Sequence, residues 1–293
     1  VPENDYLVRI LTRDGHFRAV GCTMGVTVAE ICRRHGTMPA ASAALGRALA
    51  GGALMGSQLK GNQRLALKFE ANGPLQKILV EADHGGNVCG AVGDPSADLR
   101  LPDGTVDVPR TLGLAGFLSV TKDLGLKEPY RGTVQLSSSR IGDDLATYLT
   151  ESEQVPSAVG VGVYLGEDGS VAAAGGFLVQ ALPPQDEQLI DLLMDRIASL
   201  PPLADSLRGG MTPEDLLKEI FPDQSWDVLE RRELRFSCSC SRQRTERALL
   251  SLGRQELLTL AERPEPTIVT CEFCRESYLF TPEDLQALSN EPG

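Results

Sequence analysis

Four of the seven cysteines fall within 37 residues, as Cys238-Ser239-Cys240 and Cys271-Glu272-Phe273-Cys274. Two close thiol pairs separated by 30 residues can converge on a single tetrahedral zinc and close a four-thiolate structural site. That geometry constrains the fold: a tight turn clamps each pair, and the intervening segment must double back to bring the pairs together. One Zn2+ per chain is expected, with Cys238, Cys240, Cys271 and Cys274 as its ligands. Seven cysteines are an odd number, and four stand at metal-ligand spacing, so the pattern argues for a reducing compartment rather than a secreted disulfide framework. A cytoplasmic protein is expected. Val1 to Asp14 also lacks a basic region followed by an apolar run, so no secretory signal is read there.

The chain is long enough for one large domain or two smaller ones. Met38 to Gln58 is the stretch closest to a membrane span, but it is mostly Ala and Gly with Arg47 at its centre. Too weakly apolar for a bilayer, it reads as a close-packed helix. Net charge is −12, unevenly spread. Residues 181–230 carry 3 basic against 11 acidic side chains, whereas residues 1–180 carry 16 and 19. Nucleic acid is an unsuitable partner for such a chain, because affinity for it rests on neutralising phosphates. The run Arg231, Arg232, Arg235, Arg242, Arg244, Arg247 is interleaved with Glu230, Glu233 and Glu246 and reads as a solvated helix with internal ion pairs.

Three regions follow from patterning. Residues 1–180 read as an α+β core with an antiparallel sheet. Tyr6 to Leu11 and Phe17 to Val20 form a hairpin around Asp14-Gly15. A helix runs from about Thr37, its N-cap, to Leu59, and Leu65–Phe69 pairs with Leu75–Val80. Val159 to Leu165 alternates and returns through Val171 to Gln180. Residues 181–230 read as an amphipathic helical linker. Leu189, Leu192, Leu193, Ile197 and Leu200 share one helix face, which Pro201-Pro202 ends. Thr212-Pro213-Glu214-Asp215 starts a second helix carrying Leu216, Leu217, Ile220 and Phe221. Helices this short are marginal alone and must dock on something. Residues 231–293 form the zinc module, with helices over Thr245–Leu252 and Gln255–Glu262 and a third starting at Thr281-Pro282-Glu283-Asp284.

Enzyme chemistry finds no support. No Lys precedes Ser or Thr, so there is no Walker A loop. His84-Gly85-Gly86 is a faint likeness of an oxyanion motif, but no G-x-S-x-G elbow accompanies it. His16, His35 and His84 form no H-x-x-x-H pair, and adjacent Asp143 and Asp144 point apart. The Gly-rich stretch 160–176 lacks G-x-G-x-x-G and suits close packing in a hairpin. Cys22, Cys32 and Cys89 have no identified base, and their role stays open.

The residues around the cysteines resemble a known family. Phe236-Ser237-Cys238-Ser239-Cys240-Ser241, Arg244, Ala248-Leu249, Gly253, Glu256-Leu257, Val269-Thr270-Cys271-Glu272-Phe273-Cys274 and Tyr278-Leu279-Phe280 are similar to the redox-regulated thirty-three-kilodalton heat-shock chaperonins. Upstream, Pro129-Tyr130-Arg131-Gly132, Asp144 to Leu149, Ser152-Glu153-Gln154-Val155-Pro156 and Ala173 to Gln180 resemble that family's core blocks. Arg263-Pro264-Glu265-Pro266 is a minor departure that leaves the ligands untouched. The resemblance implies a non-enzymatic, ATP-independent holdase for unfolding client proteins, inactive when reduced and zinc-bound. It implies activation by oxidation of the four cysteines to Cys238–Cys240 and Cys271–Cys274 disulfides, zinc release, linker unfolding and homodimer formation. Clients would then meet Leu189, Leu192, Leu193, Ile197, Leu216, Leu217, Ile220 and Phe221. Two other readings stay open at this point: a constitutive zinc-ribbon adaptor, and a thiol–disulfide oxidoreductase using Cys271 or Cys274.

Overall fold

Strand-like alternation dominates the first 180 residues. The structure, a computed structural model describing residues 4–290, pairs these segments into two sheets. A hairpin of β1 (Tyr6–Thr12) and β2 (Phe17–Thr23) opens the chain, followed by helices α1 (Gly25–His35) and α2 (Pro39–Gly56). Strands β3 (Arg64–Ala71), β4 (Lys77–Asp83) and β5 (Asn87–Val92) come next. Helix α3 (Val108–Leu112) leads to β6 (Gly116–Asp123) and β7 (Tyr130–Gln135), and α4 (Ile141–Glu151) to β8 (Ser157–Leu165) and β9 (Val171–Ala181). Three helices follow, α5 (Glu187–Ala198), α6 (Leu203–Arg208) and α7 (Pro213–Ile220), then β10 (Trp226–Glu233) and β11 (Arg235–Phe236). The chain finishes with α8 (Arg242–Leu250), α9 (Arg254–Ala261), β12 (Thr267–Thr270), β13 (Ser277–Phe280) and α10 (Pro282–Ser289). It divides into two compact units between Ser237 and Cys238. The class is α+β, with mainly antiparallel sheets.

In the first unit a five-stranded sheet has the order β10-β1-β2-β9-β8, and a six-stranded sheet the order β11-β5-β4-β3-β6-β7. Helix α2 lies between them, packed on β8 and β9 on one side and on β3, β4 and β5 on the other. All its residues except Pro39 and Arg47 are buried. Its composition is the reason: a Cβ on Gly52 would lie 2.6 Å from Val80 Cγ1, so only small residues let both sheets close on the helix. The N-cap is Met38 rather than the expected Thr37, because Pro39 takes the first helical position and fixes the cap one residue before it. Thr37 Oγ1 instead meets Ser42 Oγ at 2.6 Å. The β8–β9 hairpin confirms close packing as the use of its glycines. A Cβ on Gly175 would stand 2.3 Å from the Cys22 carbonyl oxygen. Gly175→Ala is therefore expected to destabilise the first unit by about 1–3 kcal/mol, read as a lower denaturant midpoint at an unchanged slope.

Helices α5, α6 and α7 belong to the first unit and cover the face of the five-stranded sheet that points away from α2. Leu193, Leu216, Leu217, Ile220 and Phe221 bury themselves on Val8, Ile10, Phe17, Ala19, Phe177 and Val179. Helix α7 has the expected Thr212 cap, completed by Asp215 into a reciprocal capping box. The basic run departs from expectation. Arg231 and Arg232 sit on strand β10, paired antiparallel with β1, Arg235 sits on β11, and only Arg242, Arg244 and Arg247 are helical. A partner strand decided this: β1 offers a ladder from Tyr6↔Glu233 to Thr12↔Trp226, interrupted by one bulge at Leu229 where the register shifts between Arg9 and Ile10. Arg231 meets Glu214 of α7, and Arg9 of β1 reaches Glu230 at 3.2 Å, while Arg232 with Glu230 and Arg242 with Glu246 are the internal ion pairs expected of the run.

Candidate metal centre

The second unit builds its site from two knuckles. One lies in the turn between the paired strands β12 and β13, whose register runs from Thr267↔Phe280 to Thr270↔Ser277. The turn closes by Cys271 N–H to Glu276 O at 2.8 Å and Arg275 N–H to Cys271 O at 3.0 Å, with Arg275 at φ +61°. Cys271 and Cys274 therefore project from one tight loop. The other knuckle precedes α8. Ser241 caps that helix by accepting from Arg244 N–H, while the Arg244 guanidinium reaches back to the Ser239 carbonyl at 3.1 Å. Cys238 and Cys240 are thus pinned to the start of a helix.

Beneath the knuckles, Leu249, Leu257, Ala261, Phe280, Leu285 and Leu288 form a small core from α8, α9, β13 and α10. Arg242 ties it to the first knuckle. Its guanidinium lies 4.5 Å over the Phe280 ring and donates to Leu279 O at 2.8 Å and Asp284 Oδ2 at 2.9 Å. Thr281 and Asp284 form the capping box that starts α10. Helix α8 begins three residues before the expected Thr245, because Ser241 supplies the cap. This core is small. Three short helices and a two-stranded sheet bury too few apolar side chains to persist without a cross-link.

The four sulfurs converge as the spacing predicts. All lie within 4.8 Å of one another, with Cys238 Sγ 3.7 Å from Cys271 Sγ and Cys240 Sγ 3.2 Å from Cys274 Sγ. A regular tetrahedron with zinc–sulfur bonds of about 2.3 Å has sulfur–sulfur edges of about 3.8 Å, so the cluster fits that ion closely. Four soft sulfur donors also select zinc over the hard cations. Charge points the same way. Without a metal, burial pushes the Cys274 thiol up to about 11. Burial acts upward on Cys240 too, but hydrogen bonds from Tyr278 and the neighbouring thiols bring it below its ordinary value. Four thiolates this close repel strongly, and a dication offsets that repulsion.

Tyr278 escaped notice as a functional residue. Its hydroxyl stands 3.1 Å from Cys240 Sγ. The sequence names it only within the Tyr278-Leu279-Phe280 block that resembles the family, with no role of its own. Arg244 likewise gave no sign that it would hold the Cys238–Cys240 turn.

The remaining cysteines are elsewhere. Cys22, Cys32 and Cys89 are buried in the first unit. Burial pushes the Cys22 thiol up to about 12 and raises Cys32 as well, which disfavours the thiolate that nucleophilic chemistry needs. The eight apolar linker candidates also have definite places. Leu193, Leu216, Leu217, Ile220 and Phe221 are buried, Leu189 and Ile197 partly so, and Leu192 is 67% exposed. In this conformation α7 has its apolar face on the sheet, whereas α5 buries only Leu193 fully. No helix among the described residues is long and apolar enough to cross a membrane.

Comparison with known proteins agrees across the chain. Residues 5–281 match the family model described as Hsp33 protein. The 33 kDa chaperonin of Geobacter sulfurreducens is 60% identical over 97% of this chain and 94% of that protein. The 33 kDa chaperonin of Citrifermentans bemidjiense is 54% identical, over 98% and 97%. Among solved structures, the 33 kDa chaperonin of Thermotoga maritima superposes with a TM-score of 0.90 at 33% identity, covering 98% of this chain and 97% of that one.

Proposed function

The chain belongs to the Hsp33 family, and from that premise we propose that it is a redox-regulated, ATP-independent holdase. It binds unfolding proteins under oxidative stress and is quiescent when reduced and zinc-bound. It is a chaperone rather than an enzyme, and its place of work is the cytoplasm. The observation that carries this reading is the convergence of Cys238, Cys240, Cys271 and Cys274 on one tetrahedral volume.

Bound zinc supplies positive charge that keeps the four sulfurs deprotonated and cross-links the two knuckles. The cysteines do the sensing. Two thiolates and one hydrogen peroxide, with two protons, become one disulfide and two waters, so each such event removes two ligands. By the family pattern the final bonds are Cys238–Cys240 and Cys271–Cys274. Structural zinc binding is worth roughly 10–16 kcal/mol, comparable with the ~5–15 kcal/mol that holds a whole domain together. The switch module expected over residues 231–293 therefore loses its fold across residues 238–290 once the ligands are oxidised.

The linker, residues 181–230, follows for a reason of connectivity. Strands β10 and β11 run directly into Cys238, with Ser237 N–H bonded to Val88 O at 3.1 Å. Fraying from the cysteine pair backwards loosens Arg231 from Glu214 and so weakens the hold on α7. The apolar faces carrying Leu189, Leu192, Leu193, Ile197, Leu216, Leu217, Ile220 and Phe221 then open to clients and to homodimer formation. The acidic surplus of this segment keeps the opened form dispersed.

A peroxide titration of the zinc-loaded protein at elevated temperature tests the reading. Loss of four thiols, appearance of free zinc and suppression of client aggregation are expected to rise together. Retained zinc with unchanged binding would indicate a constitutive adaptor instead. Turnover of a disulfide substrate without zinc release would indicate an oxidoreductase.

A further inference from the structure

We propose that Tyr278 is a positioning residue of the metal centre: its hydroxyl donates a hydrogen bond to Cys240 Sγ, tightening zinc binding and shielding that sulfur from oxidants. The inference rests on the zinc-switch reading above and adds a residue to it. The contact spans 3.1 Å. A thiolate that ligates a metal carries no proton, so the hydroxyl must be the donor. Hydrogen bonding to a ligand sulfur withdraws electron density from it, and partners of this kind stabilise and orient metal ligands.

The hairpin explains why this tyrosine is the donor. Tyr278 pairs with Val269 in the β12–β13 register, while Cys240 comes from the other knuckle, 38 residues away in sequence. The hydrogen bond is thus a second connection between the two knuckles that does not pass through the metal. It also distinguishes Cys240 from Cys271, whose main-chain N–H closes its own turn on Glu276 O. The peroxide step needs the sulfur lone pair as nucleophile. A lone pair engaged by the Tyr278 proton attacks the O–O bond more slowly, so the first sulfenic acid, formed with release of hydroxide, arises less readily at Cys240 than it would without the tyrosine.

Tyr278→Phe keeps the ring and removes the donor. Zinc affinity of the reduced protein, measured by chelator competition, is expected to fall about 10–100-fold. Zinc release by a fixed peroxide dose is expected to be faster. In the cobalt-substituted protein, the thiolate-to-metal charge-transfer band should move to lower energy, a change that mere loosening of the hairpin would not produce. Ser277→Ala is the control: it removes the Thr270–Ser277 hydroxyl contact on the same hairpin, 3.0 Å, without touching a sulfur, and should leave affinity and band position unchanged. Parent-like affinity, release rate and band in Tyr278→Phe would overturn the inference while leaving the switch intact. An equal affinity loss in Ser277→Ala with no band shift in Tyr278→Phe would also overturn it. A parent protein that bound no zinc would remove the switch reading itself and this inference with it.

Discussion

Stripping the metal from the reduced protein with a chelator is expected to melt the second unit and leave the first folded. Hydrogen exchange should show amides of α8, α9, β12, β13 and α10 exchanging fully within seconds, while those of α2 and of strands β1 to β9 stay protected. The expected effect is large because the module's own core is six buried side chains. Its helices span only eight or nine residues each, too short to persist in water. Against that, zinc binding contributes roughly 10–16 kcal/mol. Re-adding zinc under reducing conditions should restore protection, and Cys271→Ser should reproduce the melted state at ordinary zinc concentrations. Full protection of α8 to α10 in the stripped protein would mean that the apolar core alone sustains the module. The thiols would then have to act without unfolding it.

The second expected result concerns the linker. Leu217→Ala should make the reduced, zinc-loaded protein suppress aggregation of a denatured client without any oxidant. Leu217 is fully buried and sits over Gly21 of β2, where the backbone of α7 comes close to the sheet. Truncation of such a side chain costs about 2–5 kcal/mol, a large share of what one two-turn helix gains by docking. Helix α7 should open first, exposing Ile220 and Phe221, and limited proteolysis should cut between 185 and 221. Zinc content should stay at one per chain, which separates this route from oxidation. If proteolysis shows the segment open and the client still aggregates, the client surface lies elsewhere on the first unit. If the segment remains closed, its hold resides in other contacts, of which the Arg231–Glu214 and Tyr6–Glu214 pair is the foremost.

The two results bear on different layers of the same device. On the proposed reading, the metal decides whether residues 238–290 have a fold at all. The linker decides whether the first unit keeps its apolar sheet face covered. What joins them is the stretch through β10 and β11, consecutive strands of two different sheets, which belongs to the first unit and ends two residues before Cys238.

Much of this was legible in the residues. The C-x-C and C-x-x-C pairs pointed to the four sulfurs that lie together, because tight turns hold the thiols of each pair close at those spacings. The capping boxes at Thr212 and Thr281, the amphipathic face of α5 and the alternating β8–β9 hairpin could be read because each signal is local, lying within one element. The metal site needed no knowledge of the rest of the fold.

Other features had no local signal. Asp5, ahead of β1, accepts from the N–H groups of Val26 and Thr27 and so caps α1 from 21 and 22 residues away, where Met24 provides no side-chain bond. The Arg231–Arg232 segment looks helical by charge pattern and is a strand because β1 supplies the ladder. Tyr278 reaches Cys240 only because the hairpin register and the knuckle before α8 are brought together by the core beneath them. Spacing and periodicity along the chain were enough to say which sulfurs could bind a metal and which helices needed a surface to dock on. Only the tertiary structure decided what each would meet, because a hydrogen bond or an apolar contact across 20 to 200 residues depends on how distant segments pack, and no single segment encodes that.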